Sequence, residues 1–235
     1  MRQARRHFVF DELQHAGPEH LDPAYVAGYD RKARTDVSGD LGLLRDLGLR
    51  DSSTVLDIGA GTGTFALAAA PLCQRVVAVD VSPAMLDALR AKLETSGLTN
   101  VECVRAGFLT YETPAETVDF VYSRNALHHL PDFWKGIALK RIAGMLRRGG
   151  FLRLRDLVYS FAPEGADDAF EAWLAQAPLN AEEGWTREEL ETHIRDEYST
   201  FSWLLEPMLE HAGFAIEDAT HASSRAFSAY TCRKR

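Results

Sequence analysis

The sequence predicts an α/β fold: a mainly parallel sheet with helices on both faces. Three observations carry this. Short apolar runs alternate with stretches of helical periodicity from Thr54 to Val158, the pattern of parallel strands joined by helical crossovers. Two of the runs, Thr54-Val55-Leu56-Asp57-Ile58 and Arg75-Val76-Val77-Ala78-Val79-Asp80, are apolar at nearly every position, as in strands buried on both faces. The first passes directly into Gly59-Ala60-Gly61-Thr62-Gly63 and then Phe65-Ala66-Leu67-Ala68-Ala69-Ala70, which reads as strand, tight loop, helix. Glycines let such a loop turn sharply and approach a ligand closely. The helix behind it starts with free amide N–H groups aimed at the same place. A nucleotide-like cofactor is expected there.

The whole chain narrows the field. Its 235 residues suit one α/β domain with additions. A composition of 46% hydrophobic and 26% charged residues is ordinary for a soluble protein. A formal net charge of −8 argues against a nucleic-acid backbone as the main partner. Cys73, Cys103 and Cys232 lie far apart with no CxxC, so reduced thiols without a disulfide framework or zinc site are expected. The basic start, Met1 to His7, is followed only by the apolar Phe8-Val9-Phe10, too short for a signal-peptide core. No run approaches the ~20 apolar residues of a membrane span. The expectation is a cytoplasmic protein, monomeric or homodimeric, with no membrane partner.

Taken in order, residues 1–24 show little periodicity, and Gly17-Pro18 and Asp22-Pro23 break any long helix. A helix from Pro23 to about Arg34 would set Tyr25 and Tyr29 one turn apart on one face. Residues 38–48 read as another helix, with Leu41, Leu44 and Leu47 in step. After the glycine loop and the second strand, Ser82-Pro83 opens a helix lined by Met85, Leu86, Leu89 and Leu93 and stopped at Gly97. Val101–Val104 and Thr117–Tyr122 are the third and fourth strands. A helix from about Phe133 to Arg147 ends at Gly149-Gly150, and Phe151–Val158 is the fifth strand. Residues 160–205 then form a long polar and aromatic insertion over the active-site face, with helices around Ala166–Ala177 and after the capping box Thr186-Arg187-Glu188-Glu189. A last helix covers Trp203–Ala212, and Phe227–Cys232 is placed to pair antiparallel with Phe214–Ile216.

Two cofactors fit the glycine loop. Gly61-Thr62-Gly63-Thr64-Phe65-Ala66 matches the relaxed dinucleotide pattern GxGxxA, with Asp80 at a suitable distance to hold a ribose. The fuller string places Asp57, Gly59, Gly61 and Gly63 at alternate positions. A pyrophosphate has no use for an acid at Asp57, whereas a cofactor bearing an ammonium group does. Asp80 accepts hydrogen bonds from vicinal ribose hydroxyls in either case.

Four segments together resemble the class I S-adenosylmethionine-dependent methyltransferases. They are Val55–Gly63, Val79–Leu86, Asp119–Leu130 and Leu146–Gly150. The resemblance implies a Rossmann-like seven-stranded, mostly parallel sheet with an antiparallel last strand and a helical lid insertion. It implies one methyltransferase domain over 1–235: an N-terminal helical cover (1–50), a cofactor-binding core (51–159), the lid (160–205), and a C-terminal helix with strands (206–235). It also implies S-adenosyl-L-methionine as cofactor; the acidic balance and the compact lid favour a small-molecule acceptor, at O, N or C, over nucleic acid or a large protein. By the same resemblance, the loop Asp57–Gly63 faces the methionine part, Asp80 holds the ribose, and Val81 and Met85 flank the adenine. Ala106-Gly107-Phe108 meets the adenine edge, Ser123, Arg124 and Asn125 lie near the methionine end, and Tyr25 and Tyr29 belong to the cover. One departure stands out: many members carry an acid at the adenine edge, where this chain has Gly107 and Phe108. A nicotinamide-dependent oxidoreductase and a non-methylating cofactor-binding regulator are the alternatives.

Methyl transfer is an in-line displacement that depends on orientation and needs a base only where the acceptor must lose a proton. No metal is expected. His128 and His129, after the fourth strand, are candidate bases, with Asp156 beside them at the end of the fifth. Arg155 is a candidate substrate contact, as are His193, Tyr198 and Trp203 of the insertion. His193 and Glu197 stand one helical turn apart, a spacing that can bind metal, but with no third ligand in sequence they read as a polar helix face.

Overall fold

The structure, a computed structural model, describes residues 8–235; the basic stretch 1–7 lies outside the described residues. Strand β1 (Thr54–Ile58) lies between β2 (Arg75–Asp80) and β4 (Val118–Arg124), parallel to both. The sheet runs β3-β2-β1-β4-β5-β8-β7, with β3 spanning Val101–Arg105 and β5 Leu146–Tyr159. β8 (Phe227–Lys234) is antiparallel to both β5 and β7 (Phe214–His221). A short extra strand, β6 (Thr200–Phe201), pairs with the end of β5 at Val158 and Tyr159, so the expected seven strands gain an eighth from the insertion.

Alternation along the strands explains why β1 and β2 are apolar throughout. Leu56, Ile58, Val77 and Val79 face one core, packed against α5 (Asp132–Met145) and α8 (Ser202–Ala212). Val55, Val76 and Ala78 face the other, against α2 (Ser38–Asp46), α3 (Thr64–Ala69) and α4 (Pro83–Ser96). The caps follow sequence chemistry. Asp22 accepts from Ala24 N at 2.9 Å at the start of α1 (Pro23–Ala33), and Ser82 Oγ accepts from Met85 N at 3.1 Å at the start of α4.

Over residues 9–22 turns and one 3₁₀ turn (Pro18–Leu21) precede α1, in keeping with the weak periodicity and the two X-Pro breaks there, and the helices of this part of the chain are α1 and α2. One expected element is corrected. Gly149-Gly150 does not terminate α5, which stops at Met145. Both glycines lie inside β5, where its register against β4 shifts. Gly149 has φ 76°, and a Cβ on Gly150 would come within 2.8 Å of the Asp119 carbonyl oxygen, so the pair serves a bulge.

The insertion builds α6 (Ala166–Leu174) and α7 (Arg187–Asp196), the latter with its capping box formed between Thr186 and Glu189. It has its own small core of Leu157, Tyr159, Phe161, Ala169 and Trp173, with Phe170, Leu190, Ile194 and Phe201 packed against it. α2 is fastened to the sheet by Asp40, which is 2% exposed and accepts from Arg153 Nε and Arg155 Nη1 at 2.9 Å each and from Tyr122 Oη at 3.0 Å. Among the described residues no helix is long and apolar enough to cross a membrane.

Candidate active site

The glycine loop is shaped by what surrounds it. Gly59 has φ 74° and a Cβ there would collide with Ala126 after β4; Gly63 has φ 83° and a Cβ would collide with Leu89 of α4. Both therefore close the loop against neighbouring elements. Between them Gly61 N donates to Asp80 Oδ2 at 2.8 Å, while Asp80 Oδ1 accepts from Ser82 N at 2.8 Å. Burial raises the Asp80 pKa, offset in part by these backbone donors.

Beyond the carboxyl ends of β1, β2 and β4 lies an open cleft enclosing ≈ 690 Å³, counting space open to solvent; this is where open parallel sheets bind ligands. Of the sequence-predicted residues, Gly59, Gly61, Asp80, Val81, Met85, Gly107, Phe108, Arg124, Asn125, Tyr29 and His129 line it. Asp57 sits behind the loop, 2% exposed, with Oδ2 buried and without a hydrogen-bond partner. Burial, and then the nearby Asp80 charge, push its pKa up to about 8.

Six cleft residues go beyond the sequence reading: Ser82, Ala126 and Leu130, close to predicted ones, and Glu12, Ala16 and His20, all from the segment before α1. Glu12 is the most telling. Its carboxylate accepts from Leu109 N at 3.0 Å and lies where a side chain on Gly107 would go, its Cδ and Oε2 each 2.5 Å from an ideal Cβ there. Burial raises its pKa to about 7 despite the Leu109 and Phe108 amides and Arg141. An acid thus stands at the position where the sequence lacks one, brought from far along the chain. The missing acid at Gly107 was the available signal; nothing in the local pattern of residues 8–22 pointed to Glu12.

Other predicted residues lie off the cleft wall. Gly63 packs on Leu89, and Tyr25 stands behind Tyr29 with ring centroids 6.5 Å apart. Arg155 turns away to Asp40. Trp203 is 52% exposed and stacks on Phe201, while Tyr198 packs on Phe10 and His15. Neither reaches the cleft, because the insertion's apolar core and the N-terminal segment claim these rings.

The two adjacent histidines differ sharply. His128 is buried, its Nδ1 2.5 Å from Asp156 Oδ1. Asp156 Oδ2 also accepts from Leu127 N at 2.7 Å, and Oδ1 from Leu157 N at 2.8 Å. His128 Nε2 is 3.2 Å from Glu197 Oε2 without hydrogen-bond alignment, and His193 Nδ1 is 2.5 Å from Glu197 Oε1. Burial alone would lower the His128 pKa, but the Asp156 and Glu197 carboxylates outweigh it and raise it to about 10. His129 faces the cleft, and burial followed by the His128 charge lowers its pKa to about 3. The expected pair of candidate bases is thus one clamped cation and one neutral imidazole.

Residues 55–150 match a family model described as a methyltransferase domain. YcgJ, an uncharacterized methyltransferase of Bacillus subtilis, is 32% identical over 126 residues, covering 53% of this chain and 48% of its own, so the chain spans about half the length of that relative. An uncharacterized methyltransferase of Anoxybacillus flavithermus is 27% identical over 191 residues, 81% of this chain and 83% of its own. The crystal structure of YcgJ matches with a TM-score of 0.60 at 23% identity, over 78% of this chain and 72% of that one. Phosphoethanolamine N-methyltransferase 2 of Haemonchus contortus, solved with S-adenosylhomocysteine, matches with a TM-score of 0.66 at 20% identity, over 92% of this chain and 47% of that one. The chain shares its fold with both solved structures.

Proposed function

We propose that this chain, which belongs to the class I S-adenosylmethionine-dependent methyltransferases, transfers a methyl group to a small-molecule oxygen, nitrogen or carbon acceptor. The observation that carries the reading is the pair of acids at the glycine loop: Asp80 on the cleft wall and Asp57 beneath it with an unpartnered buried oxygen. A buried carboxylate oxygen without a donor is costly, and the cofactor's ammonium group would satisfy it, directly or through water. Asp80 spends two acceptor sites on Gly61 and Ser82 and keeps capacity for ribose hydroxyls. Val81 and Met85 would flank the adenine, and Glu12 would accept from its amino group in place of the acid missing at Gly107. Arg124 and Asn125 would border the methionine end. Asp57, directly beneath the glycine loop, gives a pyrophosphate no donor to bind, which weighs against the nicotinamide reading.

When bound, the cofactor supplies an electrophilic methyl carbon on a sulfonium. The chain's own residues hold and shield the acceptor. His129 presents a desolvated, neutral imidazole whose lowered pKa makes it a weak base and suits it to orient an acceptor by hydrogen bonding. Orientation is the larger lever in such a displacement, contributing up to roughly 7–11 kcal/mol in ideal cases. His128, engaged by Asp156 and Glu197, positions the loop after β4 and does not take the acceptor's proton. In this reading 1–50 forms the cover, 51–159 the cofactor core, 160–205 a lid and 206–235 the closing helix and strands of one unit in a reducing compartment. The test is calorimetric titration with S-adenosylhomocysteine, with NADH as competitor, followed by transfer of labelled methyl to candidate acceptors. Tight S-adenosylhomocysteine binding that NADH does not displace is expected; binding of NADH alone sinks the reading.

A further inference from the structure

We infer that His128, His129 and Glu197 form a binding site for a divalent first-row transition-metal ion at the edge of the cleft. One potential ligand atom from each lies within 4.8 Å of the others. Two imidazoles and a carboxylate are a donor set for zinc or ferrous iron, with positions left open for a further ligand.

Four features beyond proximity support it. First, Glu197 Oε2 is buried and has no hydrogen-bond partner, although His128 Nε2 is 3.2 Å away. Two ligand atoms each about 2.1 Å from one metal, at angles between a right angle and tetrahedral, lie roughly 3.0–3.4 Å apart. The observed separation therefore fits two ligands of one cation. Second, each outer atom is already oriented. Asp156 Oδ1 holds His128 Nδ1 at 2.5 Å, leaving Nε2 to face Glu197, the carboxylate–histidine arrangement that steers metal ligands; an incoming ion displaces the Nε2 proton, which leaves to solvent. His193 Nδ1 holds Glu197 Oε1 at 2.5 Å, so the His193–Glu197 spacing seen in sequence supports a ligand instead of supplying two. Third, the hydroxyls of Ser199, two residues beyond Glu197, and of Tyr159 are also buried without aligned partners, and buried polar atoms left so call for a further partner, an ion or water. Fourth, His129 lies on the cleft wall, so a bound ion has a route in and an open side toward the cleft. The site draws ligands from the loop after β4 and from the end of α7, which no local motif unites. It shares His129 with the methyl-transfer reading, while His128 and Glu197 do not line the cleft.

The experiment titrates full-length, untagged, chelator-stripped protein with Co²⁺ and Zn²⁺. We expect one equivalent of each per chain, Co²⁺ giving visible d–d absorption, and a raised melting temperature. Glu197→Gln and His129→Gln should abolish the Co²⁺ bands, and His193→Ala should weaken binding by roughly 10- to 100-fold. Circular dichroism, measured in parallel, reports folding, and the S-adenosylhomocysteine affinity of Glu197→Gln, a residue outside the cleft lining, separates failure of this site from failure of the cofactor reading. Absence of stoichiometric Co²⁺ or Zn²⁺ binding to the wild-type chain overturns the inference. Wild-type-like binding by Glu197→Gln and His129→Gln together overturns it equally, because the ion then sits elsewhere.

Discussion

Moving the adenine-edge acid from one part of the chain to another is the sharpest test of the cleft. Glu12 occupies the space of the absent Gly107 side chain, with its Cδ and Oε2 2.5 Å from an ideal Cβ on that glycine. Glu12→Ala should remove a hydrogen bond to a charged acceptor, worth about 1.5–3 kcal/mol. That corresponds to roughly 10- to 150-fold weaker binding of S-adenosylhomocysteine. Gly107→Asp alone should fold poorly or displace the N-terminal segment, because two carboxyl groups cannot share the space. The double variant Glu12→Ala/Gly107→Asp should recover most of the lost affinity, since Gly107 has no positive φ to penalise a side chain and an acid returns beside the Leu109 amide. Isothermal titration of the three variants reads this directly. Binding by Glu12→Ala within twofold of wild type, or a double variant no better than the single, refutes the assignment.

Asp80→Ala should weaken S-adenosylhomocysteine binding by at least tenfold, losing ribose acceptors and the Gly61 anchor together; unchanged affinity in the same titration counts against its placement. Cofactor binding should release protons near pH 7. The folded-state pKa of Asp57 is raised to about 8 and that of Glu12 to about 7, while the bound cofactor favours both carboxylates ionised. The affinity should therefore rise with pH between about 6 and 8, and titrations in buffers of different ionisation enthalpy should give different heats; identical heats refute this. The same raised pKa values mean that the two groups' contribution to ligand-free stability is greatest below their unfolded values and is lost as pH rises through 7 to 8. Asp40→Ala should leave Arg153 buried without its carboxylate, costing about 3–5 kcal/mol. For a chain of this size that lowers the melting temperature by roughly 6–20 °C, which differential scanning calorimetry would resolve; a drop under about 2 °C would show that the network is not structural.

The fold was legible because its signals are local. Strands buried on both faces, Ser82-Pro83 at a helix start and Thr186–Glu189 as a capping box each carry their own chemistry within a few residues. The cleft floor was legible for the same reason, since Gly59, Gly61, Asp80, Val81 and Met85 lie in two contiguous stretches. What escaped depends on contacts between distant residues. Glu12 meets Leu109 only after the chain folds back over β3. The division of labour between His128 and His129 needs Asp156 and Glu197 in place. Gly149-Gly150 reads equally as a helix stop or a strand bulge until the register of β5 is known. Trp203 and Tyr198 looked like pocket residues because aromatic character does not reveal which side of a lid a ring faces.

Cover and lid are not separate devices. Phe10 stacks on His15 at 4.4 Å, and both rings contact Tyr198 at 6.0 and 5.9 Å. Lys32 of α1 pairs with Glu189 of α7, and Trp185 meets Tyr29 at 6.4 Å. Tyr198 is held in turn through its N–H to the His128 carbonyl at 3.0 Å and through Lys135 to its own carbonyl. The segment that carries Glu12 therefore leans on the end of the lid that carries Glu197. Lifting it costs a few aromatic contacts at about 0.5–1.5 kcal/mol each and a partly exposed ion pair worth at most about 1 kcal/mol, against far larger core burial beneath. The segment carrying Glu12 is therefore the more weakly held of the two, whereas the Glu197 end stays fastened to the core through His128 and Lys135.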